Sequence, residues 1–291
     1  MKDKSYRFKL GSFECVIVLD GTFTYPHPAH ALFTNASEER LERGLRKHNL
    51  DPEKWGQYIS PYPVLVIYTG DHVVLVDTGA GSFAATTGKL ISNLKTEGIS
   101  PEDIDTVILT HGHPDHIGGN LDEEGKPTFP NARYVMWKEE WEFWTSRPDL
   151  SALKLPDHQK ESLLEFPVKN LLPIQDQIDL IDSEREIVSG VQAIAAPGHT
   201  PGHIALTISS DGKTLLDIAD TVLHPVHLEQ PDWYGVVDLL PEKTVTTRHQ
   251  LLGQAAAEKN LVLAFHFPFP CLGHVAQKGD AWWWRPVELE D

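Results

Sequence analysis

Thr110-His111-Gly112-His113-Pro114-Asp115-His116 closes an apolar, β-branched run, Asp105-Thr106-Val107-Ile108-Leu109. The run reads as a buried strand, and the residues after it as a tight turn at the strand end. Four side chains able to bind a metal, three imidazoles and one carboxylate, fall between positions 111 and 116. A lone HxH pair says little, because loop histidines are common. The full set is different, since packing alone gives no reason to crowd four polar groups at one strand end. HxHxDH aims two imidazoles at one point and a carboxylate plus a third imidazole at a neighbouring point. That suits two adjacent divalent ions of borderline softness, zinc above all.

Partners for this set lie far along the chain in the same local context. His199 follows the apolar run 191–196, within Pro197-Gly198-His199-Thr200-Pro201-Gly202-His203. Asp220 follows Thr214-Leu215-Leu216, and His266 ends Leu261-Val262-Leu263-Ala264-Phe265. Each is a metal-type side chain at the end of a short hydrophobic strand. Ligands on the ends of several strands of one sheet converge, and rigid elements hold them better than loops do.

The rest of the chain reads as one enzyme-sized unit. The 291 residues allow one large domain or two small ones. Candidate ligands from 111 to 266 must fold together, so residues 1–291 are expected to form a single domain, with 22–60 as an N-terminal lid or arm. The formal charge of −17, from 25 basic and 42 acidic residues, speaks against a nucleic-acid partner and an anionic membrane surface. No apolar run approaches the ~20 residues that span a bilayer. Met1-Lys2-Asp3-Lys4-Ser5-Tyr6-Arg7 has no apolar h-region. A cytoplasmic location is therefore the expectation. Cys15 and Cys271 give no disulfide framework and read as small core residues.

Local patterns fill in the organisation. Phe13–Leu19 reads as a strand, Asp20-Gly21 as a turn, and Thr22–His30 as a loop. Asn35 or Ser37 caps a helix running to about His48, with Glu38 and Glu39 in its first turn. Strands are expected at 62–68, 73–77 and 133–137, and helices at 82–97, 138–144 and 243–259. Strands alternating with helices, interrupted by short hairpins, predict an α/β fold: an αββα sandwich of two mixed β-sheets flanked by helices.

HxHxDH followed by a distant His, Asp and His resembles the metallo-β-lactamase superfamily. Val76-Asp77-Thr78-Gly79 resembles that family's earlier turn, and the likeness runs from about 60 to 275. The resemblance implies that His111, His113 and His199 hold one metal ion. Asp115, His116 and His266 would hold a second, with Asp220 bridging and Asp77 orienting a ligand imidazole. It implies two divalent ions per chain, most simply zinc, with manganese, cobalt or iron also compatible with the donors. Hydroxide bridging the two ions would attack a carbonyl or phosphoryl centre, since bound zinc can bring the pKa of water to ~7. Asp115 or Asp220 would pass a proton to the leaving group.

Leu19-Asp20-Gly21-Thr22-Phe23, Thr247-Arg248-His249-Gln250-Leu251-Leu252 and His266-Phe267-Pro268-Phe269-Pro270-Cys271-Leu272-Gly273-His274 resemble the quorum-quenching lactonase and methyl parathion hydrolase branch. That implies a small, neutral, partly apolar substrate: a lactone, ester or phosphotriester. The acyl-homoserine lactonases carry a tyrosine about three residues after the bridging aspartate. Leu223 stands there instead, followed by His224, which is the expected substrate contact. Two alternatives remain. A glyoxalase II-like thioesterase would want a basic C-terminal segment, whereas this one is acidic and Trp-rich. A mononuclear iron persulfide dioxygenase would leave Asp115, His116 and His266 idle. His203 reads as a packing residue. Phe23, Tyr25, His27 and Phe33 read as a pocket wall or a self-packed lid. His227 and His274 are further pocket candidates. Trp137, Trp141 and Trp144 have core-like helical spacing. Trp282-Trp283-Trp284 cannot all face one core, so at least one is exposed, covers the pocket, or lies at the interface of a homodimer.

Overall fold

A computed structural model of the chain describes residues 4–288. Met1, Lys2, Asp3 and residues 289–291, some of which enter the readings above, lie outside them. The first sheet runs β1 (Ser5–Leu10), β2 (Phe13–Pro26), β3 (Gln57–Tyr68), β4 (Val73–Val76), β5 (Thr106–Ile108), β6 (Arg133–Trp137), β7 (Ile178–Ile181), in that spatial order. The first four strands pair antiparallel and the rest parallel. The second sheet comprises β8 (Arg185–Val188), β9 (Val191–Ala195), β10 (Ile204–Ser210), β11 (Lys213–Asp217), β12 (Leu261–Leu263), β13 (Leu272–Lys278) and β14 (Ala281–Pro286), also neighbours in sequence order. Only β11 and β12 pair parallel there. Both sheets are thus mixed, and helices cover their outer faces.

Period-two alternation explains the layering. Cys15, Ile17, Leu65 and Ile67 face the second sheet, meeting Leu206, Ile208 and Leu215 in a shared core. Their neighbours Val16, Val18, Val64 and Val66 point the other way. There they pack under α3 (Leu90–Thr96) and the segment before β5. On the far face of the second sheet, Ala205 and Leu216 meet Leu252 and Ala255 of the long helix Pro241–Glu258. Strands buried on both faces read as continuous apolar runs, which is why they stand out in the sequence.

Helices α1 (Pro28–Leu32) and α2 (Glu38–Arg46) lie in the segment between β2 and β3, the arm, with Ser37 capping the second. Two expectations are corrected here. Residues 20–26 do not leave the sheet: β2 continues to Pro26, with a register shift between Leu19 and Gly21. The stretch 82–97 is α-helical only at Leu90–Thr96, with a single 3-10 turn at Gly81–Phe83. Gly81 and Gly88 have positive φ, and the carboxylate of Asp20 accepts the N–H groups of Ala80, Gly88 and Leu90 at 3.0–3.1 Å. Those donors are spent on Asp20 instead of on a helical ladder. In the Trp triplet, alternation along β14 buries Trp282, exposes Trp283 beside Lys278, and packs Trp284 on Phe267.

The remaining helices are α4 (Pro114–Ile117), α5 (Lys138–Thr145), α6 (Asp157–Leu171), α7 (Val226–Glu229) and α8 (Pro241–Glu258). No helix among the described residues is long and apolar enough to cross a membrane. Asp20→Ala would strand three backbone donors beside the bulge. It is expected to lower stability by roughly 2–4 kcal/mol in denaturant unfolding. An unchanged midpoint would remove Asp20 as the anchor of this loop.

Candidate metal centre

The residues singled out in the sequence meet where strand ends from both sheets converge. HxHxDH follows β5, His199 follows β9, Asp220 follows β11, and His266 follows β12. The Ile204 N–H donates to the Thr110 carbonyl at 3.0 Å and ties the two sheets together at this edge.

His111, His113, His199 and Asp220 form one buried group, and Asp115, His116, Asp220 and His266 another. Within each, donor atoms lie inside 4.8 Å of one another. The three nitrogens of the first group nearly touch, with His113 Nδ1 3.1 Å from His111 Nε2 and 2.9 Å from His199 Nε2. Asp220 belongs to both. Its Oδ2 lies 3.3 Å from His199 Nε2 and 3.0 Å from His266 Nε2, while Oδ1 lies 3.4 Å from His116 Nε2. Asp115 Oδ2 is 3.7 Å from His266 Nε2 and 4.0 Å from His116 Nε2.

The donor set fits a pair of cations. Among the described residues, His116 Nε2 and Asp220 Oδ1 are buried without a hydrogen-bond partner, a costly state unless something else binds them. Burial, reinforced by neighbouring imidazoles, pulls His111 and His113 well below the usual histidine range, which favours the neutral form that ligates. Burial alone would raise the Asp220 carboxyl, but His266 and His116 outweigh it and hold the group well below the usual range.

In His116, His199 and His266 the nitrogen that faces the group is fixed by what the opposite ring nitrogen bonds, as is usual around metal-binding imidazoles. Asp77 Oδ2 lies 2.6 Å from His116 Nδ1, and Asp77 also accepts from the Thr110 N–H and hydroxyl. Asp238 takes His199 Nδ1 at 2.8 Å. Burial would depress His199, but hydrogen bonds to Asp220 and Asp238 push it up to about 9. Ser60 Oγ lies 2.9 Å from His266 Nδ1. Asp238, Ser60 and the buried Glu140 escaped the sequence reading because none stands in a ligand-like motif. Glu140 alone left a trace, as an acidic residue four before Trp144 within a core-patterned helix.

His203 joins neither group. Its Nδ1 donates to the Ala196 carbonyl and its Nε2 accepts the Asp220 N–H at 3.2 Å, so it sets the Asp220 backbone. His224, the expected substrate contact, is buried beside the cavity instead of facing it. Leu223 lines the cavity over the metal groups, and His224 does not. His224 accepts the Val226 N–H and lies among Phe33, Trp55 and Tyr58, where burial lowers it to about 3. Phe23 and Tyr25 do line the cavity, whereas Phe33 is buried in the arm and His27 and His274 are exposed. His227 is buried against the Leu32 carbonyl.

That cavity measures about 510 Å³. Its floor includes His113, Asp115, His199, Asp220 and His266, and its walls are largely aromatic and aliphatic, among them Phe83, Leu155 and Leu163. Among the described residues, no Lys or Arg lines it. The hydroxyls of Tyr25 and Tyr62, 2.9 Å apart, sit in the wall beside His266.

Residues 60–247 match the family model of the metallo-β-lactamase superfamily, and the chain belongs to that superfamily. An N-acyl homoserine lactonase of Bacillus cereus is 29% identical over 209 residues, covering 64% of this chain and 73% of the relative. Another, of Bacillus sp, is 33% identical over 132 residues, covering 45% of this chain and only 44% of that relative's length. Among solved structures, AidC, a dizinc quorum-quenching lactonase in complex with a product, superposes with a TM-score of 0.90 at 30% identity over all of both chains. The hydrolase AbOPH, described as belonging to the beta lactamase superfamily, gives 0.86 at 28%, again over all of both chains.

Asp220→Ala removes the carboxylate common to both groups. Metal content is expected to fall below two ions per chain, with hydrolytic activity lost. His203→Ala is expected to keep both ions, measured by elemental analysis of the purified protein. Loss of a full equivalent there would mean that His203 is itself a ligand.

Proposed function

We propose that the chain is a metal-dependent hydrolase of lactonase type, acting on a small neutral acyl lactone such as an N-acyl homoserine lactone. The observation that carries this reading is the pairing of two His/Asp groups with an apolar cavity free of Lys and Arg. A neutral, partly apolar ring with an acyl chain suits such a cavity. A glutathione thioester, which is anionic, finds no cationic partner on its walls. Similarity to proteins described as N-acyl homoserine lactonases supports a lactone ahead of the esters and phosphotriesters that share this neutrality.

Zinc or a similar ion bound at these groups would acidify water and polarise the substrate carbonyl. His111, His113 and His199 on one side, and Asp115, His116 and His266 on the other, are the residues assigned to hold such ions, with Asp220 between them. Asp115 is the carboxylate best placed to pass a proton to the leaving oxygen, because its side chain keeps 13% exposure against 3% for Asp220. Tyr25 and Tyr62 share one mutual hydrogen bond, which uses one of their two hydroxyl protons. The second proton is free for an oxygen of the substrate. Burial, with Asp115 nearby, raises both phenols well above their usual value, so they stay neutral donors. The aromatic walls exclude bulk water, which strengthens every such contact.

The test is turnover by purified, metal-analysed protein of N-hexanoyl homoserine lactone, a δ-lactone, a p-nitrophenyl ester, methyl paraoxon and a glutathione thioester. Lactone turnover with two ions per chain is the expected result. Thioester turnover alone, or one iron per chain, would overturn the proposal. Tyr25→Phe is expected to lower lactone kcat by roughly 10-fold or more with metal content intact.

A further inference from the structure

Glu140 has no part in the chemistry above, yet it is fully buried and makes no ion pair among the described residues. Its carboxylate accepts four hydrogen bonds. Oε1 takes the Gly112 N–H at 2.8 Å and the Trp144 indole N–H at 2.7 Å. Oε2 takes the Thr200 hydroxyl at 2.7 Å and the Gly202 N–H at 2.9 Å. Gly112 lies between His111 and His113, and Thr200 follows His199. One carboxylate on α5 therefore grips both loops that carry the three imidazoles of the first group.

Close packing repeats the same message. A Cβ at Gly112 would fall 2.3 Å from the Trp144 ring, and one at Gly202 would fall 2.3 Å from the Glu140 backbone nitrogen. The His113 ring also packs on Trp144, with centroids 5.4 Å apart. Both loops are pressed directly onto this helix. The second group has other supports: His116 rests on Asp77 and His266 on Ser60.

We infer that Glu140 is a positioning residue for the first group alone, setting the gap between the His111–His113 turn and His199. This rests on the reading that each group holds an ion. A carboxylate is the one side chain of this length that accepts from all four donors at once. In Glu140→Gln the amide NH₂ must face one of the two donor pairs, and each pair contains a glycine N–H that cannot turn away. The hold on one loop is then lost with little change in volume.

The experiment is zinc titration against a chelator of known affinity, with bound metal counted per chain. Wild type is expected to bind two ions, and fewer than two would sink the metal-centre reading itself, whatever the variants do. Glu140→Gln is expected to keep one ion at wild-type affinity and weaken the other by about 10–100-fold. In a His113→Ala background, which removes a nitrogen from the first group, the same change should weaken the remaining ion no further. Thr200→Val removes only one of the four bonds and should give a smaller shift at the same ion, which keeps the inference testable if Glu140→Gln folds poorly. Equal weakening of both ions, unchanged binding in Glu140→Gln and Thr200→Val, or a further loss in the His113→Ala background would overturn it.

Discussion

The carboxylate of Asp220 lies between 3.0 and 3.8 Å from four imidazole nitrogens, on His266, His199, His116 and His111. Everything else at this end of the molecule serves that convergence. Bringing two carboxylates and five imidazoles out of water is expensive unless each finds a partner. The four that surround Asp220 arrive from three places in the chain, on the ends of β5, β9 and β12. Only two sheets that meet at one edge can deliver them. The Ile204–Thr110 backbone bond pins that meeting point.

Convergence is not enough, because an imidazole free to rotate would not keep a fixed nitrogen aimed inward. The supports divide the task. Asp77, Asp238 and Ser60 each fix one ring, and Glu140 fixes two loops at once. Asp238 is held in turn by the Gly235 N–H at 2.6 Å. Its segment is tied to the arm between β2 and β3: Thr34 N–H donates to the Tyr234 carbonyl, Val236 N–H to the Ala31 carbonyl, and Asn35 brackets Asp232 and Tyr234. Trp233 fills the arm's own core with Phe33, Leu41 and Leu45, and a Cβ at Gly44 would strike its ring at 2.8 Å. Arg248, buried and bonded to the carbonyls of Thr221, Pro231 and Trp233, joins this segment to the loop after Asp220. The arm is thereby built into the support of His199 rather than laid loosely over the cavity.

The ligand-type residues were legible because their signal is local: several metal-binding side chains in one turn, or one at the end of an apolar run. The two mixed sheets were legible for a related reason, since strands buried on both faces leave unbroken apolar runs. The supports were not legible. Asp238 acts 39 residues from His199, and Ser60 acts 206 residues from His266, so neither leaves a pattern in its own neighbourhood. The same limit explains the misread stretches. Nothing near 82–97 in the sequence shows that Asp20, about 60–70 residues upstream, will claim the N–H groups needed for a helix. Residues 22–26 look like a Pro- and aromatic-rich loop, yet they find residues 57–61 across the sheet and pair with them. His224 was singled out for its chemistry, while its direction is set by packing among the arm's aromatic rings.

The charge distribution bears on how a lactone would pass through such a site. A lactone enters neutral and leaves as a carboxylate. Aromatic and aliphatic walls suit the entering ring and its acyl chain. With no Lys or Arg lining the cavity among the described residues, Asp115 and Asp220 on its floor, and −17 on the chain as a whole, a product anion would find no described side-chain cation to hold it there. Attraction for that anion would be limited to any ions held by the two groups, whose charge Asp220 and Asp115 would partly offset, and to the neutral hydroxyls of Tyr25 and Tyr62. On the proposed reading, shape would hold the entering ring while the local charge would disfavour the product anion.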